Sequence, residues 1–156
     1  MLKKYWKIIA ASAAIIMISY LISTYYFQLM IVHGDSMYPA LKNMHMALID
    51  KHAEDLRAGD VVVFRCQGLK SMLVKRVAGC PGDTVKIEEG RLYVNGDESP
   101  LYRDNKIDYS GLLSDETVLG DNDYIVLGDN LEHSKDSRYE EVGIVDKKDI
   151  TGRVIV

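Results

Sequence analysis

Ser36 and Lys75 are the residues of this 156-residue chain whose types and surroundings suit nucleophilic chemistry. Ser36 follows Gly34 and Asp35, directly after an uncharged run from Ile8 to Val32. Serine is a weak nucleophile until a neighbouring base removes its proton, so the chain must also supply a base. None of the four histidines has an evident apolar setting in the sequence. The candidate base is therefore Lys75.

Lys75 lies within Ser71–Ala78, an apolar stretch typical of a β-strand. Alternate residues of a strand share a face, which places Leu73, Lys75 and Val77 together. A lysine desolvated by such neighbours has a lowered pKa and can act as a base near neutral pH. Taken alone, the pattern also fits an edge or snorkelling lysine, with Arg76 as an ordinary exposed charge.

The elements that must position these two residues are short strands separated by turns, beginning after Pro39. Residues 95–122 are rich in Asp, Asn, Ser and Gly and are predicted to form a long loop or a small lobe. A hairpin is expected around Glu89-Gly90, because hydrophobic residues alternate on both sides of it. The strand candidates are Met46–Ile49, Asp60–Cys66, Ser71–Ala78, Thr84–Glu88, Arg91–Val94, Asp123–Leu127 and Thr151–Val156.

The uncharged run at the N-terminus is long enough to cross a bilayer with some tilt. Lys3, Lys4 and Lys7 precede it, so the positive-inside rule puts the N-terminus in the cytoplasm. The alternative is a cleaved secretory signal, but residues 25–32 make a poor cleavage site. We therefore expect a single-pass cell-membrane protein: residues 1–32 form the cytoplasmic end and a transmembrane signal-anchor helix, and residues 33–156 form an extracytoplasmic catalytic domain. The predicted fold class is mostly β, an N-terminal transmembrane helix followed by one antiparallel, barrel-like sheet.

Charge and composition exclude several classes of partner. Removing the three lysines of residues 1–32, which contain no acid, leaves 16 basic and 23 acidic side chains and a net charge of −7. Such a surface repels a polyphosphate, so nucleic acid is not an expected partner. The histidines and the two cysteines lack metal-ligand spacing, and neither a metal nor another cofactor is predicted.

Cys66 and Cys80 are the only cysteines, and in an extracytoplasmic domain they could pair. A hairpin of the strands 60–66 and 71–78 would place Cys66 opposite Ser71, far along the ladder from Cys80. A disulfide requires Cα atoms within about 7 Å. Two free thiols are therefore predicted.

Four segments together resemble the conserved boxes of bacterial type I signal peptidases. Ser36-Met-Tyr-Pro-Ala-Leu41 is similar to their Ser-Met-x-Pro-x-Leu box, and Lys75-Arg-Val-Ala-Gly-Cys-Pro-Gly-Asp83 to their Lys-Arg-x-x-Gly-x-Pro-Gly-Asp box. Gly128-Asp-Asn130 with Ser134-Lys-Asp-Ser-Arg-Tyr139 matches the Gly-Asp-Asn…Ser-x-Asp-Ser-Arg box, and Gly152-Arg-Val154 fits the closing segment. Their order after an N-terminal anchor makes the resemblance specific.

The resemblance implies a Ser–Lys dyad, with Ser36 as the nucleophile and Lys75 as the general base. It implies that Ser134 orients the lysine with its hydroxyl and that Asp136 and Arg138 form a supporting ion pair. Asp129 and Asn130 are interpreted as turn formers.

This chain departs from some members of the family two residues before the nucleophile, where Gly34 replaces a serine that helps to bind the oxyanion. The backbone N–H of Ser36 is then the expected oxyanion donor, and the second donor is left open between a water and another backbone group.

The implied activity is removal of N-terminal signal peptides from translocated preproteins by a membrane-bound serine endopeptidase. The expected partners are preprotein signal peptides, membrane lipid and the secretion machinery. The resemblance also implies a preference for small residues, typically alanine, one and three positions before the cut, and binding of the substrate as an added strand. Val32 and Val74 are candidate pocket residues. Two alternatives stay open: a specialised Ser–Lys peptidase that matures a pilin or conjugation factor, and a non-catalytic binding module. Since the apolar run ends at Val32, only three or four extended residues, about 10–14 Å, would separate Ser36 from the bilayer.

Overall fold

A computed structural model describes residues 2–155, with side chains from Tyr5 onward. It contains one long helix, α1 (Leu2–Tyr26), followed by eleven strands. These are β1 (Phe27–Ile31), β2 (Met46–Asp50), β3 (Val61–Cys66), β4 (Ser71–Gly79), β5 (Thr84–Glu88), β6 (Arg91–Val94), β7 (Asp97–Glu98), β8 (Thr117–Val118), β9 (Asp123–Leu127), β10 (Val145–Asp146) and β11 (Ile150–Ile155). The mostly β fold class is confirmed, but the strands form two antiparallel sheets and not one.

The helix ends earlier than the apolar run suggested. Helix α1 stops at Tyr26, and Phe27–Ile31 forms strand β1, which pairs antiparallel with β2 along its whole length. Within the described chain, Tyr5–Tyr26 is the one helix long and apolar enough to span a membrane, and its side chains are exposed. Apolar β-branched and aromatic residues suit both a membrane helix and a strand, so composition alone did not locate the boundary.

The helix end rests on the turn that follows β2. The Lys51 N–H donates to the Tyr26 carbonyl oxygen at 2.9 Å, and the His52 ring centroid lies 4.5 Å from that of Tyr25. These contacts join the end of α1 to the β domain without an intervening linker.

The larger sheet has the order β1-β2-β11-β3-β4-β9-β10, and the smaller one the order β7-β6-β5-β8. The predicted hairpin of β3 and β4 is confirmed in register, with Cys66 opposite Ser71. Cys66 and Cys80 are both free thiols, as predicted. The predicted turn at Glu89-Gly90 joins β5 and β6, and both of its residues have positive φ. Of the strand expected at Thr151–Val156, Val156 lies outside the described residues.

Three apolar clusters hold the sheets together. One lies beneath the loop after β1 and contains Val32, Met37 and Leu41. The second packs β3 against β9, and the third is centred on β5 and β6. The segment 95–122, expected as a loop or small lobe, contributes the buried residues Tyr102, Ile107, Leu113 and Leu119 to the third cluster. It is therefore a packed lobe.

Candidate active site

Ser36 lies in the loop between β1 and β2, anchored by apolar residues on its C-terminal side. Met37 and Leu41 are 1% and 2% exposed, so the loop is pinned to the core immediately after the serine. The Asn130 N–H donates to the Ser36 carbonyl oxygen at 3.0 Å, and the Asn130 side-chain amide donates to the Asp35 carbonyl oxygen at 3.1 Å. Asn130, interpreted as a turn former, thus also holds the backbone of the serine loop.

Lys75 projects from β4 and is only 3% exposed. It lies opposite Val62 of β3, which is completely buried. Its Nζ atom donates a hydrogen bond to Ser36 Oγ at 2.6 Å. Burial lowers the pKa of Lys75 from 10.5 to about 8; the carboxylates of Asp136 and Asp129 oppose this shift, and the guanidinium of Arg138 adds to it. The direction is the one expected from the apolar strand.

Asp136 and Arg138 form a buried ion pair beside the lysine. Arg138 Nε donates to Asp136 Oδ1 at 2.7 Å, and their side chains are 2% and 0% exposed. Asp136 Oδ2 also accepts from the Gly128 N–H at 3.0 Å, at the end of β9. Since Leu127, the preceding residue, pairs with Arg76 of β4, the ion pair is tied to the strand that carries Lys75.

Ser134 is buried near the dyad, but its hydroxyl has no hydrogen-bond partner among the described residues. The lysine-orienting contact implied by the resemblance is therefore not formed in this structure. Ser134 packs against Gly128, where a Cβ would overlap the Ser134 hydroxyl and lie 2.7 Å from the Ser36 carbonyl oxygen. Only glycine fits at position 128.

Arg76 and Asp129 form a second ion pair, which the sequence did not single out. Arg76 Nε and Nη2 donate to the two Asp129 carboxylate oxygens at 2.7 and 2.6 Å, and Nη1 donates to the Gly59 carbonyl oxygen at 2.6 Å. The Arg76 side chain is only 23% exposed, so it is not an ordinary exposed charge. The one signal of this ion pair in the sequence is the Gly128-Asp-Asn130 box, but there Asp129 was interpreted only as a turn former.

A cavity of about 290 Å³ opens beside the dyad. It separates the edge of β1 from the first half of β4, which has a free edge because β9 pairs with β4 only from Arg76 onward. Val32 and Val74, the candidate pocket residues, both line it. The other lining residues are Met30, Ile31, His33, Ser36, Met37, Met72, Leu73 and Lys75.

Backbone donors near Ser36 differ in availability. The Gly34 N–H donates to Asn43 Oδ1 at 3.0 Å and is therefore engaged. Gly34 has φ +94°, and no atom lies within 4 Å of the position of a Cβ, so the side of the loop is open there.

Comparison with known proteins gives one consistent family. The model of the family described as "Signal peptidase, peptidase S26" matches residues 5–156. Signal peptidase I P of Bacillus subtilis subsp. natto is 36% identical over 146 residues, which cover 85% of this chain and 77% of the relative. Signal peptidase I S of Bacillus subtilis strain 168 is 36% identical over 149 residues, covering 88% and 79%. A crystal structure of a signal peptidase I from Enterococcus faecalis V583 superposes with a TM-score of 0.53 at 24% identity, covering 66% of this chain and 98% of that one, and shows the same fold.

Proposed function

Because the chain belongs to the signal peptidase family, peptidase S26, we propose that it removes N-terminal signal peptides from preproteins by means of a Ser36–Lys75 dyad. The protein is a serine peptidase by its family. The observation that carries the assignment of the dyad is the 2.6 Å contact between Ser36 Oγ and a lysine buried to 3% exposure. An exposed lysine would be almost wholly protonated at neutral pH and unable to accept a proton.

In the acylation step, neutral Lys75 accepts the proton of Ser36 as Oγ attacks the scissile carbonyl carbon. The tetrahedral intermediate collapses when the lysine gives that proton to the leaving amine, which breaks the C–N bond and leaves an ester on Ser36. Lys75 then takes a proton from water as the water oxygen adds to the ester carbonyl carbon. The C–Oγ bond breaks, the new carboxylic acid is released, and Lys75 returns the proton to Ser36 Oγ. A pKa of about 8 suits both directions of transfer, because the lysine is partly neutral at physiological pH.

The developing oxyanion requires hydrogen-bond donors placed before the reaction begins. We assign the Ser36 N–H to this role, since it donates to no protein acceptor within residues 2–155. The Gly34 N–H is unsuited to be the second donor, because Asn43 accepts from it.

The substrate fits the cavity between β1 and β4 as an added strand. Both flanking edges present unpaired backbone groups, and an extended peptide can satisfy them along one or both sides. Val32 and Val74 line this cavity together with Ser36, and their branched side chains beside the nucleophile favour small substrate side chains next to the scissile bond. A volume of about 290 Å³ leaves room for side chains of alanine size beside the peptide backbone.

The apolar surface of the first two strands supports a position against the membrane. Leu29, Ile31, Met46 and Leu48 are paired across β1 and β2, with Leu29 and Met46 65% and 63% exposed. This surface continues directly from α1. We propose that α1 spans the cell membrane with its N-terminus in the cytoplasm, by the positive-inside rule, and that the β domain rests on the outer surface.

The decisive experiment uses the full chain in detergent with a preprotein, and maps the cut by mass spectrometry. Wild type should release the signal peptide. Ser36→Ala should not, because it lacks the nucleophile, and Lys75→Arg should not, because a guanidinium does not deprotonate. Ser71→Ala, an exposed serine at the start of β4, is the matched control and should cleave normally. Cleavage by Ser36→Ala would refute the dyad. A panel of preproteins separates general processing from the maturation of one specialised substrate.

A further inference from the structure

The lobe formed by residues 95–122 contacts Arg138 through a segment of four residues. We call Tyr109, Ser110, Gly111 and Leu112 the clasp. The Leu112 N–H donates to the Arg138 carbonyl oxygen at 3.0 Å, and Arg138 Nη1 donates to the Tyr109 carbonyl oxygen at 3.3 Å. The clasp therefore holds both the backbone and the guanidinium of Arg138.

The clasp is firmly seated on its own side. Ile107 and Leu113 flank it, are 2% and 1% exposed, and belong to the apolar cluster around β5 and β6. The Ile107 N–H also donates to the Gly90 carbonyl oxygen at 2.8 Å. Displacing the clasp would disturb this cluster. The clasp is therefore a fixed support for Arg138.

Contact between the clasp and the segment after β9 is close enough to exclude any side chain at position 111. A Cβ at Gly111 would overlap the Arg138 carbonyl oxygen and lie 2.8 Å from the Tyr109 ring, and φ is +53°. The Tyr109 and Tyr139 rings lie 4.9 Å apart, which adds a second contact beside the first.

From Arg138 the contacts lead directly to the dyad. Its guanidinium donates to both carboxylate oxygens of Asp136, from Nε to Oδ1 at 2.7 Å and from Nη2 to Oδ2 at 2.9 Å, and Oδ2 also accepts from the Gly128 N–H. Arg138 also donates to the carbonyl oxygens of Leu131 and Ser134 at 2.8 and 3.4 Å, which shapes the turn after Asn130. The ion pair and this turn together adjoin both members of the dyad.

We propose that the clasp, residues 109–112, positions the Asp136–Arg138 ion pair and thereby keeps Lys75 in its proton-accepting state; the proposal rests on the proposed dyad. The charged or titratable groups facing Lys75 are Asp136, Arg138, Asp129 and, across the cavity, His33. The carboxylate of Asp136 stabilises the ammonium form of Lys75, and the positive charge of Arg138 opposes this effect. When Arg138 withdraws from Asp136, the ammonium form of Lys75 is therefore stabilised.

The test is Gly111→Ala in the full chain, with the pH dependence of preprotein cleavage as the measurement. The acid limb of kcat/KM should move up by about one pH unit, since the carboxylate is less neutralised. Cleavage at pH 7 then falls about tenfold while KM for the preprotein stays within about twofold, and at pH 10 the loss is below about twofold. A purely structural role would lower activity by the same factor at every pH.

Gly143→Ala is the matched control. Gly143 has φ +57°, close to that of Gly111, but the nearest atom to its Cβ position is 3.9 Å away. The substitution imposes the same backbone strain without a clash, and its acid limb should coincide with that of wild type. If Gly111→Ala fails to fold, Leu112→Pro decides, because proline at this half-exposed position lacks the N–H that donates to the Arg138 carbonyl oxygen. Its acid limb should move in the same direction, and an unmoved limb would overturn the proposal.

Wild type in the same assay separates this proposal from the proposed function. An inactive wild type refutes the function, whereas an active wild type with an unmoved Gly111→Ala profile refutes only the clasp. Titration of the Lys75 amine by heteronuclear NMR tests the clasp without any need for cleavage: the pKa of Lys75 in Gly111→Ala must exceed that in wild type.

Discussion

Replacing Lys75 by methionine should make the protein more stable at neutral pH, although it removes the proposed base. The substitution keeps a long unbranched side chain in the same buried position. At pH 7 the lysine is charged in the unfolded chain and mostly charged in the folded one, where burial disfavours the ammonium. Methionine has no charge to desolvate, so it escapes this cost.

The size of the effect follows from the shift of the pKa from 10.5 to about 8. Each unit is worth about 1.4 kcal/mol, so the charged lysine costs about 3 kcal/mol at pH 7. Because the folded pKa lies below the unfolded value, the stability of wild type is lowest below pH 8 and rises as the pH increases towards 10.5. By pH 10 the cost has fallen to about 1 kcal/mol.

The assay is denaturant unfolding of the full chain in detergent at pH 6 to 10, with wild type and Lys75→Met compared at each pH. The difference in the free energy of unfolding should shrink by roughly 2–3 kcal/mol across this range. Loss of the hydrogen bond to Ser36 subtracts about 1 kcal/mol from the advantage of methionine, with no change in slope. Lys42→Met, at an exposed lysine, is the matched control for replacing an ammonium that is not buried. A Lys75→Met difference that is constant with pH would refute the argument that burial poises this lysine.

Other predictions concern the same site. Gly128→Ala should lower kcat on a preprotein at least about 100-fold, because a Cβ there displaces either the Ser134 side chain or the carbonyl group of Ser36. Near-normal turnover would contradict this prediction. Wild-type kcat/KM should rise with pH through about 8 and then level off, since Lys75 must be neutral to accept the proton; a limb near 10 would contradict the lowered pKa. Ser134→Ala removes a buried hydroxyl that has no partner among the described residues, so thermal unfolding should show no loss of stability beyond about 0.5 kcal/mol, while activity falls only modestly.

The parts of the structure that local pattern determines were predictable. The alternation in Ser71–Ala78 located β4, and the short turn before it fixed Cys66 opposite Ser71, which is why free thiols could be predicted. The apolar run was different: a continuous stretch of apolar residues has no period, so nothing in it marked the change from helix to strand at Phe27.

Contacts between segments far apart in sequence were not predictable from pattern. The clasp meets Arg138 across nearly thirty residues, and its sequence reads only as loop composition. Similarly, Arg76 follows the candidate base directly, but its partner Asp129 comes from another strand end. Nothing local to either residue distinguishes a half-buried ion pair from two solvated charges.

Because α1 passes into β1 without a linker, the distance between the end of the helix and the catalytic domain is fixed. Five residues of strand span about 16 Å, so with α1 in the bilayer the nucleophile stands at a height that the chain cannot adjust. Small changes in length are not available, because a single inserted residue would turn the outward-facing Leu29 and Ile31 inward and disrupt the pairing with β2. If α1 spans the bilayer as proposed, the distance of the scissile bond from the bilayer surface would help to select the cut. We then expect a preprotein shortened by two residues between its apolar segment and its cleavage site, about 7 Å, to present the wrong bond to Ser36.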